Sequence, residues 1–179
     1  MIQILGSLFL LSCFELPSLA SSQNRLTPEE IIRGSFAQSA SIEKLKVVLT
    51  QKEMAEVQKL AQSSLTESTL TFYLVKKDRK TLGYAGLYSS QVFKKSMTTL
   101  TILDQQGTLL GVEIMAFHEH PEYLPPKKWF EFFRDKDIKQ ELKAGQDVPI
   151  VTGATLTTQK ISQASRLIRA IWQVKLKKK

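Results

Sequence analysis

The sequence predicts an α+β fold, a largely antiparallel twisted sheet with flanking helices. Two short helical patterns open the ordered part of the chain, and a run of strand-like segments separated by brief polar turns fills its middle. One amphipathic helix closes it. Strands gathered between helices argue against a doubly wound nucleotide fold, in which the two would alternate.

Residues 1–20 read as an export leader. An apolar run from Ile2 to Phe14 precedes Pro17-Ser18-Leu19-Ala20, whose small residues suit signal peptidase, and polar Ser21-Ser22-Gln23-Asn24 follows. The run is too short to make a good membrane span. Cys13 is the only cysteine. Within Leu10-Leu11-Ser12-Cys13 it also resembles a lipobox, which would make it a lipid anchor. Either processing leaves a chain without a disulfide, so the fold rests on packing.

Thr27-Pro28-Glu29-Glu30 is a helix start with a Thr cap, an early Pro and acids at the positive dipole end. Leu45 to Leu49 reads as a strand. Thr50 to Gln62 reads as a helix with Met54, Val57 and Leu60-Ala61 at helical spacing. Strands are expected at Leu70 to Val75, Leu82 to Tyr88, Met97 to Leu103 and Thr108 to Phe117, the last two joined by the Asp104-Gln105-Gln106-Gly107 turn. Alternation in the last strand places Leu110, Val112, Ile114 and Ala116 on one face.

The loop His118-Glu119-His120-Pro121-Glu122-Tyr123 follows. Were the strand to stay extended, His118 and His120 would share a face as a metal pair, although Pro121 ends the strand and no third ligand is recognisable. Pro126 begins a short helix with Trp129, Phe130, Phe132 and Phe133, aromatic residues that suit a core or the wall of a flat ligand. Glu141 to Gln146 is a polar connection. The closing helix has a buried stripe of Ile161, Ala164, Leu167-Ile168 and Ile171, with Lys160, Arg166 and Arg169 facing water. The Lys-rich tail 175–179 reads as disordered.

Between connection and helix stands Val151-Thr152-Gly153-Ala154-Thr155-Leu156-Thr157-Thr158. A turn with a Thr N-cap accounts for such a string. So does an anion site, because free N–H groups and the positive dipole end of a helix favour phosphate. On average residue usage the hydroxyl-Gly-Ala-hydroxyl-any-hydroxyl pattern arises in about one chain of this length in several hundred.

The formal net charge of +8 suits an anionic membrane surface or an acidic protein. No nucleic-acid module accompanies it, so nucleic acid ranks last.

Residues 83–171 resemble the FMN-binding domain found in the sodium-translocating NADH:quinone reductase, in Rnf complexes and in exported redox proteins. The likeness runs from Gly83-Tyr84-Ala85-Gly86 through the His/Glu/Pro loop, Trp129 and Phe133 to Thr152-Gly153-Ala154-Thr155-Leu156-Thr157 and its helix. It implies FMN joined to Thr155 by a phosphoester, installed from FAD by a flavin transferase, with Thr152, Gly153, Ala154 and Thr157 around the phosphate. It also implies His118, Glu119 and Trp129 beside the cofactor. One departure stands out: Pro149 occupies the place where the family usually carries an acid, and the nearest acid is Asp147.

The chain then divides into a leader (1–20), an N-terminal helix-and-strand extension packed on the domain (21–80), the FMN-binding domain (81–174) and the basic tail (175–179). The resemblance implies an exported, periplasmic or extracytoplasmic electron carrier rather than an enzyme with its own small substrate. Its partners would be the transferase and a cytochrome or membrane reductase. A flavin-free binding or assembly module of the same fold, and a small metal-binding protein using His118 and His120, stand as alternatives.

Overall fold

The computed structural model describes residues 26–36 and 40–177. The leader, its cleavage site, Cys13 and the last two lysines lie outside the described residues.

Two helices precede most of the sheet, and both begin with the same reciprocal cap. In α1 (Pro28–Ser35) Thr27 Oγ1 accepts the Glu30 N–H, while the Glu30 carboxylate accepts the Thr27 N–H. Thr50 and Glu53 repeat the exchange at α2 (Gln51–Ala61). Each box satisfies two backbone donors that a helix leaves open.

Five strands form one antiparallel meander in chain order: β1 (Ser41–Val48), β2 (Thr69–Lys77), β3 (Lys80–Gln91), β4 (Ser96–Asp104) and β5 (Leu109–Phe117). The observed α+β class is the predicted one. β1 reaches back to Ser41, beyond the expected Leu45, because it is an edge strand held by pairing with β2. Of its side chains only Val47 is buried, which leaves no alternation to read.

Each face of the sheet has a core. On one, Phe72, Met97 and Leu103 meet Val57 of α2 and Ile161, Leu167, Ile168 and Ile171 of the last helix, α3 (Thr155–Ile171). On the other, Tyr73, Val75, Ala85, Leu100 and Ile102 cover Ile32 of α1. The seat of α3 is close: a Cβ on Gly86 of β3 would lie 2.7 Å from Ile168. A glycine in mid-strand here is what lets the helix approach the sheet.

β5 does not keep the predicted alternation. Pairing with β4 passes from Gly111 to Leu109 and from Ala116 to Ile114, skipping Leu110 and Met115. These two bulged residues pack on the α1 side, whereas Leu109, Val112, Ile114 and Phe117 pack on the α3 side. Bulges twist an edge strand and blunt it as a template for further pairing.

Two readings of the C-terminal helix are also corrected. Arg169 does not face water. It is 7 % exposed, and its guanidinium donates to the carbonyls of Asp137 and Gln140. The part of the lysine tail that is described is not disordered either. Trp172–Leu176 adds a π-helical turn, buries Trp172, and places Lys175 Nζ 2.7 Å from Glu53 Oε1.

The Lys175 ammonium and the Thr50 N–H hold the Glu53 carboxyl down at about 2, from an ordinary value of 4.5. A depressed carboxyl contributes stability that is present above its ordinary value and is lost as pH falls through its folded one. Lys175→Met should therefore lower Tm at pH 6, and the gap from wild type should narrow between pH 4.5 and 2. Melting curves across that window check it; a gap independent of pH would exclude the linkage.

Candidate functional site

The hydroxyl-rich stretch folds into a sharp entry to α3. Gly153 takes φ +83°, a left-handed conformation in which other residues are strained. Ala154 is the N-cap and is buried, and it offers no side-chain cap. The threonines therefore do not cap the helix, contrary to the expectation of a Thr N-cap; Thr155, Thr157 and Thr158 all lie inside its first turn. The helical ladder starts with Thr158 N–H on the Ala154 carbonyl. The N–H groups of Thr155, Leu156 and Thr157 precede that ladder and have no backbone acceptor among the described residues.

The hydroxyls have different fates. Thr155 is exposed, and its Oγ1 donates only a long 3.5 Å bond to the Val151 carbonyl. Thr158 Oγ1 donates to the Thr155 carbonyl at 2.9 Å. Thr157 is 1 % exposed, and its Oγ1 has no hydrogen-bond partner among the described residues. A buried hydroxyl left unpaired costs about 1–3 kcal/mol, so this one is an acceptor and donor awaiting a partner.

A half-open hollow of about 280 Å³ lies against this helix start, lined by Gly153 to Thr157 together with Val92, Phe93 and Tyr123. Phe93 is 61 % exposed at the tip of the β3–β4 turn, and Tyr123 is 36 % exposed in the loop after β5. Two aromatic side chains held open beside a polar helix start make a site with one phosphate-like end and one flat apolar end.

The other predicted site residues, Thr152, His118, Glu119 and Trp129, do not line this hollow. Glu119 is buried, and one oxygen, Oε1, accepts the N–H groups of Lys94 and Lys95 at 2.6 Å each. Hydrogen bonds from the Lys95, Lys94 and Phe93 backbone hold its carboxyl below the usual range. Trp129 belongs to the core, 3 % exposed and edge-on to Phe133, and its indole N–H donates to the Pro149 carbonyl at 2.7 Å. That bond ties the core to the segment that leads into Gly153. Asp147, the acid nearest Pro149, has a carboxylate oxygen engaged by the Leu142 N–H at 2.7 Å. Thr152 and His118 are exposed.

β5 stops at Phe117, so the extended geometry that would pair His118 with His120 is not adopted. His118 donates its N–H to the Ser96 carbonyl, and the His120 ring packs edge-on against Tyr123 at 6.0 Å. Among the described residues, no three His, Cys, Asp or Glu side chains are grouped to hold a metal ion.

Phe93 and Tyr123 escaped the sequence reading. Phe93 sits beside Lys94-Lys95 in what looks like a polar turn, and Tyr123 lies in a short 3-10 turn, Pro121–Tyr123. The available signal was an aromatic residue in each of two short connections, where burial does not call for one.

Fold and site together define a small α+β ligand-binding domain with a phosphate-ready helix start. Residues 93–168 match the family model of the FMN-binding domain, which assigns this part of the chain to that family and makes FMN its cofactor. No curated protein matches the chain. The residues present fit FMN: the unpartnered Thr157 hydroxyl and the open N–H groups suit a phosphate, and the aromatic mouth suits a flat ring.

Proposed function

We propose that the protein is an exported electron carrier whose FMN is joined to Thr155 through a phosphoester. The observation that carries this reading is the pairing of an exposed, nearly unengaged Thr155 hydroxyl with the buried, unpartnered Thr157 hydroxyl two residues on, in the same helical turn. The first is free to react and the second to hold a phosphate oxygen. With FAD as donor, the Thr155 oxygen forms one new O–P bond, the pyrophosphate P–O bond breaks, AMP leaves, and the hydroxyl proton passes to solvent. A flavin transferase supplies the catalysis.

Once bound, the flavin supplies one- and two-electron chemistry, and the protein contributes position and environment. Thr157 and the N–H groups at the start of α3 would bind the phosphate, Gly153 allows the close turn, and Phe93 and Tyr123 flank the mouth. The leader supports export, with cleavage after Ala20 or, in its place, a lipid anchor on Cys13. No helix among the described residues is long and apolar enough to cross a membrane. The proposed electron partners are a cytochrome or a membrane reductase, met at a basic or membrane-facing surface.

A second reading, a flavin-free module of the same fold, is favoured by one observation. Pro149 replaces the usual acid, and Asp147 is already bound to the Leu142 N–H. Intact mass and a visible spectrum of protein from its natural host decide between them. A flavin spectrum with one FMN retained after denaturation is expected. A colourless chain of unmodified mass would establish the second reading.

A further inference from the structure

We propose that Glu119 is a positioning residue for the flavin ring, acting through the β3–β4 turn that carries Phe93. The inference rests on the FMN reading above and goes further, because Glu119 does not line the hollow.

Residues 92–95 leave the sheet between Gln91 and Ser96. Within the turn the Val92 N–H donates to the Lys95 carbonyl, and Gln91 Nε2 donates to the Phe93 carbonyl. That leaves the N–H groups of Lys94 and Lys95 pointing at one place, and Glu119 Oε1 fills it. The carboxylate comes from the segment just past β5, where the neighbouring His118 N–H is tied to Ser96. Glu119 thus bolts the turn to the sheet from the side away from solvent.

The result is a large apolar ring kept at a tip in water. Phe93 stays 61 % exposed, so burial gives the fold little reason of its own to hold it there. Two short hydrogen bonds from adjacent residues to one acceptor hold the turn at a single point. A wall fixed before the ligand arrives loses less freedom on binding.

The same geometry distinguishes positioning from charge. The Lys94 and Lys95 N–H groups use one oxygen, which an amide also possesses, so Glu119→Gln keeps that acceptor and removes the charge. Glu119→Ala removes both.

The test uses FMN-loaded protein made in cells with a flavin transferase. Flavin content by mass is read separately from quenching of flavin fluorescence by acrylamide, which is neutral and unaffected by the charge change. Phe93→Ala, a change at an exposed tip, should raise the quenching constant roughly threefold, the ring having lost its aromatic neighbour. Glu119→Ala should do the same, Glu119→Gln should stay near wild type, and Phe93→Ala with Glu119→Ala should go no further than either alone. Quenching unchanged in Phe93→Ala, equal in the Gln and Ala variants, or additive in the double variant would overturn the proposal while leaving the FMN reading intact. Wild-type protein without flavin by mass would overturn the FMN reading and this proposal with it.

Discussion

Thr155→Val is expected to abolish covalent flavin completely while leaving the fold unchanged. Valine matches threonine in shape and lacks only the atom that can form the phosphoester. The structural cost is small because Thr155 is exposed, is not the N-cap, and makes only the 3.5 Å bond to Val151. A contact of that length lies beyond good hydrogen-bond geometry. Circular dichroism and Tm should therefore stay at wild-type values, with intact mass lower by one FMN. Thr157→Val makes the complementary change. It removes an unpaired buried hydroxyl, so the flavin-free chain should be as stable as wild type or slightly more so. The loaded protein should lose about 1 kcal/mol of phosphate interaction. Peptide mapping after denaturation checks both, and flavin found on Thr152 or Thr157 would refute the assignment to Thr155.

What the sequence made legible follows from where its signals are local. The Thr27-Pro28-Glu29-Glu30 start, the apolar strand segments between polar turns and the hydroxyl motif at the head of an amphipathic helix are all short-range patterns, and each lies in the element expected of it. The bulges of β5 were invisible because Leu110 and Met115 are as apolar as their neighbours. Only the register against β4 shows that they turn to the other face. Glu119 was placed at the site by family likeness, but its partners are backbone groups some twenty-five positions earlier, which no spacing rule connects. Arg169 was read as solvent-facing because arginine on a helix usually is. Its true partners are backbone carbonyls on a loop about thirty positions earlier, and carbonyls leave no trace in a sequence.

Arg169→Met should produce a large loss of stability. The guanidinium is buried against the Asp137 and Gln140 carbonyls, and burial pulls its pKa down to about 10, with Asp137 and Asp147 opposing the shift. It therefore remains charged at neutral pH, and its donors are spent on groups that cannot find one another. Methionine fills much of the aliphatic volume but leaves both carbonyls without a donor, at a cost of about 3 kcal/mol. For a chain of this size that corresponds to a fall in Tm of roughly 6–12 °C. Arg166 provides the control. It is only half-buried, no hydrogen bond of its guanidinium is present among the described residues, and it repels Arg169. Arg166→Met should therefore cost less than about 1 kcal/mol. The loop that Arg169 pins continues through Leu142 and Asp147 to Pro149, whose carbonyl holds Trp129, and then directly into Gly153 and Thr155. Arg169→Met should consequently slow flavin attachment as well, whereas Arg166→Met should not. Thermal melts with a time course of flavin incorporation check both effects, and equal behaviour of the two variants would show that the buried guanidinium is not what secures the loop.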